Sequence, residues 1–281
     1  YIVSCGTAYY AGLYGKYLLE KHLSIPVEVE SASEFRYRPR KLLDKNALMI
    51  AVSQSGETAD TLASLREAKS RGCKILSICN AVGSTIARES ANILYTHAGP
   101  EISVASTKAY TAQLLAFQLL TLHLGRIRGD ITAAHGKTVL HALRKIPDQI
   151  RDILAKESEI EDLARKFYHA KSIFYLGRGF NYPTALEAAL KNKEISYMHA
   201  EGYAAGELKH GPIAMIDGEF PIVCIAVKSP TYEKMVSNIK EVEARSGKII
   251  LVASEGDRSI GSLSDDVIFV PETSEEISPI L

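Results

Sequence analysis

The chain lacks a charge of either sign in excess: 33 lysines and arginines face 33 aspartates and glutamates across 281 residues. A whole-molecule field that would draw nucleic acid or an anionic membrane is therefore absent, and neither is expected as a partner. Cysteine is scarce. Cys5, Cys73, Cys79 and Cys224 lie in or beside apolar runs and have no metal-ligand spacing, so they read as small core residues rather than a disulfide framework. Cys5, just before Gly6, is the one placed at a strand end where a reactive thiol could sit. No apolar run is long enough to span a bilayer, and no stretch reads as a signal peptide. His199 and His210 lack metal-ligand spacing, so no metal is expected. What remains is a chain long enough for one large or two ordinary domains, with an apolar content that supports a sizeable core.

The densest signal is Ser53-Gln54-Ser55-Gly56-Glu57-Thr58. It lies between an apolar run, 47–52, that reads as a buried strand and a segment from Ala59 that places Leu62, Leu65 and Ala68 on one helical face. Free amides at a helix start, the positive end of the helix dipole and three hydroxyls together form an anion cradle. An ordinary N-cap would need only one such hydroxyl. Glu57 and Asp60 count against the cradle, because they would repel a phosphate unless they point away.

Along the chain, strands are expected over 1–5, 26–30, 47–52, 74–79 and 93–96. Helices are expected over 9–22, 59–71, 84–89 and 108–124. Gly72 stops the third-strand helix, and 34–40 forms a charged connection holding Arg36, Arg38 and Arg40. Residues 125–136 read as a connection, followed by a helical stretch over 138–168 interrupted near Pro147. Further strands are expected over 172–176, 220–227, 248–253 and 267–270, with helices over 183–195, where Pro183 takes the first helical position, and 232–246, ended by Gly247. Strands alternating with helices argue for α/β architecture, a parallel sheet covered on both faces. The second half repeats the first at an offset of roughly 175 residues, far beyond a solenoid period. Val3-Ser4-Cys5-Gly6 matches Tyr175-Leu176-Gly177, and Glu101-Ile102-Ser103 recurs as Glu276-Ile277-Ser278. The domains are expected at 1–136 and 137–281. The cradle is degraded in the second copy, where Pro230-Thr231-Tyr232 replaces Gly56-Glu57-Thr58. The first copy continues from Ser103 into a long helix while the second stops at Leu281, and Tyr1 sits within a strand, so a fragment lacking a C-terminal helix is expected.

Chemistry is expected in 187–212. Glu187, Lys191 and Glu194 are spaced to share one helix face. The stretch from Ser196 to Pro212 mixes histidine, acid and base with glycines and does not read as plain helix or strand, as binding and catalytic segments often do not. His210, before Gly-Pro, belongs to the side-chain type that titrates near neutrality. Gly177-Arg178-Gly179 follows a strand, but Tyr182 occupies the third glycine position of a dinucleotide fingerprint, so that signal is weak.

Cys5-Gly6-Thr7, the 53–58 stretch, Val104-Ala105-Ser106-Thr107-Lys108 and Glu207-Leu208-Lys209-His210-Gly211-Pro212 resemble the glutamine–fructose-6-phosphate aminotransferase family in its isomerase portion, a pair of sugar isomerase (SIS) domains. The resemblance covers essentially the whole chain. It implies two duplicated SIS subdomains, each a three-layer flavodoxin- or Rossmann-like sandwich, and a cytoplasmic homodimer without cofactor. It further implies that Ser53, Gln54, Ser55 and Thr58 hold the phosphate of fructose 6-phosphate or glucosamine 6-phosphate, with Thr7 and Ala8 nearby and Val104 to Ser106 along the sugar. Glu194 would move a proton between C1 and C2, Lys191 would support it, and His210 would assist ring opening from the partner subunit. Ala8 stands where the family often has serine, which removes one hydroxyl contact. The family's N-terminal glutaminase domain and its Schiff-base lysine would lie outside this chain. Two rival readings are a SIS module that senses a sugar phosphate without turning it over, and a simple phosphosugar isomerase complete in itself. A sensor needs the cradle but no acid–base pair.

Overall fold

The computed structural model describes residues 1–37 and 43–281, so Arg38 and Arg40 of the charged connection lie outside the described residues. The chain divides into two compact units, Tyr1–Gly136 and Lys137–Leu281.

In the first unit the order is β1 (Ile2–Ser4), α1 (Thr7–Leu23), β2 (Val29–Ser31), α2 (Ala32–Phe35), β3 (Leu48–Ser53), α3 (Ala59–Ser70), β4 (Lys74–Cys79), α4 (Thr85–Glu89), β5 (Asn92–Tyr95) and α5 (Lys108–Arg128). The five strands form one parallel sheet in the order β2-β1-β3-β4-β5. A parallel sheet buries both faces, which is why β3 reads as a continuous apolar run rather than an alternating one. Val3, Met49, Ala51, Leu65, Ile75 and Ile86 form a core on one side. On α1, Gly15 has no room for a side chain, because a Cβ there would lie 2.4 Å from the Phe117 ring of α5. That glycine lets the two helices pack closely.

In the second unit α6 (Ala133–Leu154), which begins just before the division, and α7 (Glu157–Phe167) precede β6 (Ser172–Gly177), α8 (Asn181–Ser196), β7 (His199–Ala204), β8 (Pro221–Ala226), α9 (Tyr232–Glu243), β9 (Lys248–Ser254) and β10 (Val267–Val270). Its parallel sheet has the order β10-β9-β8-β6-β7. Read from the other edge this is β7-β6-β8-β9-β10, the topology of the first sheet strand for strand. The internal repeat is thus a repeat of the fold, and the expected pair of parallel α/β sheets is observed. Phe174, Leu176, Ile222, Cys224, Met235, Ile239 and Leu251 make the second core.

Several boundaries differ from expectation. The connection expected over 125–136 shrinks to Gly129–Thr132, because α5 continues to Arg128 and α6 starts at Ala133. Gly125 inside α5 provides space rather than a break, since a Cβ there would meet Ile131 Cδ1 at 2.5 Å. Pro147 does not interrupt α6. Leu143 and Ile146 are buried on the apolar face that an unbroken helix presents, and this tertiary packing outweighs the roughly 3 kcal/mol propensity cost of proline. The interruption falls instead at Ala155–Lys156. Pro183 is the third rather than the first residue of α8, still among the positions whose missing N–H has no intrahelical acceptor. α9 ends at Glu243, and it is Ser246 that takes the left-handed conformation (φ 60°). Gly247 is needed for space, because a Cβ there would stand 2.8 Å from Ile216, Ile222 and Val242 side chains.

The largest correction concerns 199–204, which forms the edge strand β7 rather than irregular structure. Its polar composition suits an edge. Gly202 lets α8 press onto it, since a Cβ there would lie 2.6 Å from the Ala185 carbonyl oxygen. Among the described residues no helix is long and apolar enough to cross a membrane.

Candidate functional site

In the strand order β2-β1-β3-β4-β5 the direction of winding reverses between β1 and β3. Ligands of open α/β sheets bind beyond the carboxyl ends of the strands at such a switch point. Cys5-Gly6-Thr7 follows β1 and the 53–58 stretch follows β3, so both motifs flank that point. They wall a pocket of about 200 Å³ whose lining includes Thr7, Ala8, Ser53, Gln54, Ser55, Thr58 and Ser106, with Cys5 and Gln113 beside them. Gln54 and Ser55 also border a neighbouring cleft lined by Asn80, His97 and Glu101.

Local hydrogen bonds shape the cradle. Gly56 N–H donates to Ser53 Oγ at 2.9 Å, Glu57 N–H donates to Ser55 Oγ at 3.2 Å, and the Ser53 and Thr58 hydroxyls lie 3.2 Å apart. Thr58 occupies the N-cap position of α3, yet its side chain makes no capping hydrogen bond. The hydroxyl that an ordinary cap would turn toward the helix lies against Ser53 instead, and among the described residues the first amides of α3 have no side-chain acceptor. Gly56 has φ +67°, and a Cβ on it would stand 2.0 Å from Ser84 Oγ, so the turn needs glycine on both counts.

The two carboxylates that would repel an anion are engaged elsewhere. Glu57 Oε1 accepts from the Thr85 N–H at the start of α4, 2.8 Å away. That backbone hydrogen bond holds the Glu57 carboxyl below the usual carboxylate range. Asp60 accepts from Arg36 Nη1 at 2.9 Å. Glu101, in the neighbouring cleft, accepts from the Ala109 N–H at 3.0 Å to cap α5 and from the Ser106 hydroxyl at 3.5 Å.

Not every expected residue joins the pocket. The Val104 side chain is 95% exposed and lies outside the lining, whereas Ser106, two residues on, is part of it. Gln113 was not singled out by the sequence. It sits in an apolar helical run, and only its polarity at a buried position of that run marks it.

In the second unit the equivalent turn is closed by its own side chains. Lys228 Nζ pairs with Glu272 at 2.7 Å, and the Ser229 and Thr231 hydroxyls lie 3.1 Å apart. Tyr232 OH donates to Asp257 Oδ2 at 2.5 Å. Gly177, the first glycine of the weak dinucleotide signal, serves packing: a Cβ there would lie 2.0 Å from the Asn181 carbonyl oxygen.

The expected stripe on α8 is an ion-pair cluster. Lys191 Nζ lies 2.5 Å from Glu194 Oε2 and 3.5 Å from Glu187 Oε1. Glu187 is buried and Glu194 is partly exposed, so the ammonium bridges a buried carboxylate and an accessible one. His210 ends a 3₁₀ helix, Ala205–His210, and is exposed, with Gly211 following at φ +140°. Within this unit Glu194 and His210 lie toward opposite ends of the sheet. Gly202 of β7 packs beside Ala185 of α8, which runs antiparallel to the strand. From that level Glu194 is about 13 Å down the helix and the end of β7 about 7 Å up the strand. One copy of the unit therefore does not bring the two side chains together. Among the described residues no group of three or more histidines, cysteines or carboxylates could hold a metal ion.

Comparison with known proteins adds the following. The SIS domain family model matches residues 1–123 and 166–281. The chain is 51% identical over 281 residues to glutamine–fructose-6-phosphate aminotransferase [isomerizing] of Thermus thermophilus, covering all of this chain and 46% of that protein. The namesake of Chlorobaculum tepidum is 51% identical over 280 residues, and this chain covers 45% of it. The chain thus spans about half the length of the curated relatives it matches. Among solved structures, the C-terminal domain of glucosamine-fructose-6-phosphate aminotransferase from Francisella tularensis superposes with a TM-score of 0.94 at 40% identity, over 99% of this chain and 79% of that one.

Proposed function

The chain belongs to the SIS domain family, and we propose that it is the isomerase part of a glutamine–fructose-6-phosphate aminotransferase. The observation that carries this reading is the β3–α3 turn. It offers uncapped helix amides and three hydroxyls to an anion at the switch point, with both neighbouring carboxylates turned away. Ser53, Gln54, Ser55 and Thr58 hold the phosphate of fructose 6-phosphate, and Thr7, Ala8 and Ser106 border the remainder. Val104, whose side chain faces solvent, contributes at most a main-chain contact.

In the proposed reaction the sugar ring opens to a C2 ketone, and ammonia adds with loss of water to give a C2 imine. Glu194 removes a proton from C1 and returns one to C2. The C2=N bond becomes C2–NH₂ while the C1 hydroxyl becomes the aldehyde, so atoms and electrons balance within the sugar. Lys191 fixes the carboxylate that does this. His210 serves ring opening, and its distance from Glu194 within one unit favours supply of that side chain by a second copy of the chain. Ammonia comes from a glutaminase domain of a longer polypeptide, in a cytoplasmic setting. The Lys191–Glu194 pair favours this enzyme over a SIS module that only senses a sugar phosphate, since sensing requires no acid–base group. Diffraction from crystals soaked with fructose 6-phosphate tests the reading. Phosphate density on the Ser53–Thr58 turn is the expected result, and phosphate density elsewhere with the turn empty overturns it.

A further inference from the structure

α5 carries two glutamines, Gln113 and Gln118, each only 2% exposed. Gln118 has a structural task, because its Nε2 donates to Tyr14 OH at 2.7 Å. Gln113 does not. Its Oε1 is buried without a hydrogen-bond partner among the described residues, and its side chain lines the pocket with Thr7, Ser53, Ser55 and Ser106. A buried amide oxygen left unpaired is costly, and folded proteins keep few of them. Leucine at this helix position would fill the space without that cost.

We propose that Gln113 is a ligand-positioning residue whose carboxamide hydrogen-bonds a hydroxyl of the bound sugar phosphate. This rests on reading the pocket as a sugar-phosphate site. The chemistry selects the hydroxyl over the phosphate. The unpaired atom is an acceptor and needs a donor. A phosphate monoester with its second pKa of about 6 is largely a dianion at neutral pH and offers acceptors only. A sugar hydroxyl both donates and accepts, and a carboxamide meets both needs. The cradle already supplies amide and hydroxyl donors to the phosphate, so a carboxamide without internal partners among the described residues, beside the same pocket, is matched to the rest of the molecule.

The test titrates the 281-residue chain and its Gln113→Leu and Gln113→Met variants calorimetrically, with fructose 6-phosphate and separately with inorganic phosphate, and melts each variant by circular dichroism. Both variants are expected to bind fructose 6-phosphate roughly tenfold more weakly, to bind inorganic phosphate within about twofold of the parent, and to melt no lower. Gln118→Leu, the structural control, melts lower and keeps the parent's preference for the sugar phosphate. Parent binding with unchanged affinity in the variants overturns this proposal alone. Equal losses for both ligands, or failure of both variants to fold, assign Gln113 to structure and overturn it too. A parent that binds neither ligand overturns the sugar-phosphate reading, and this proposal with it.

Discussion

Gly56→Ala is the sharpest probe of the cradle. The residue sits at φ +67°, where a side chain costs about 1–2 kcal/mol through its clash with the following carbonyl. The new methyl would also lie 2.0 Å from Ser84 Oγ, 2.5 Å from Ser84 Cβ and 2.8 Å from Cys79 Sγ. The Ser84 hydroxyl can rotate away, but Ser84 Cβ cannot move without shifting backbone, and Cys79 Sγ would have to change rotamer within a fully buried site. Overpacking of that kind costs about 1–3 kcal/mol. Alanine stiffens the unfolded chain and offsets about 0.4–1 kcal/mol. The net loss is about 2–4 kcal/mol, or a fall in melting temperature of roughly 5–15 °C. Gly83→Ala separates the two causes. Gly83 has φ +72° but nothing within 4 Å of where a methyl would stand, so it carries the conformational cost alone and loses about 1 kcal/mol or less. The chain has no tryptophan, so melting is followed by far-ultraviolet circular dichroism. If Gly56→Ala melts within about 2 °C of Gly83→Ala, the steric part of the reasoning is wrong.

Three further outcomes are expected. Ser55→Ala removes one cradle hydroxyl whose only internal bond among the described residues is a long one from the Glu57 N–H, so calorimetry should find fructose 6-phosphate bound about tenfold more weakly with the melting temperature unchanged; unchanged affinity would remove Ser55 from the site. Glu194→Gln should keep sugar-phosphate affinity yet slow exchange of the C1 proton with deuterated solvent by about 10²-fold or more, read by NMR, and exchange at the parental rate would remove Glu194 from proton transfer. The Glu57 carboxyl is held low by the Thr85 N–H, so the folded state favours its ionised form and stability rises with pH through this group. That contribution is complete above the ordinary carboxylate pKa of about 4.3 and is lost as pH falls through the lowered value. The melting-temperature gap between the parent and Glu57→Gln should therefore be open at neutral pH and close in acid, and a gap independent of pH would argue against the interaction.

The alternation of apolar runs with amphipathic stretches specified the two α/β units, because strand and helix periodicities are local and each element buries one face or two. The duplication was equally legible, through the Val3–Gly6 and Tyr175–Gly177 matches. The Ser53–Thr58 turn could be read as an anion cradle because a helix start has the same unsatisfied amides wherever it occurs. β7 could not be read, since a polar edge strand owes its existence to pairing with β6 and to the space that Gly202 leaves for α8. The continuity of α6 through Pro147 is also a tertiary matter, in which burial of Leu143 and Ile146 outweighs local propensity. The directions of Glu57 and Asp60, on which the sign of the cradle's field depends, were set by Thr85 and Arg36, residues 28 and 24 positions away. Residue types and their spacing thus named the groups that the cradle contains. That its acids turn outward and Gln113 turns inward emerged only in the folded chain, because orientation follows from partners that are distant along the sequence.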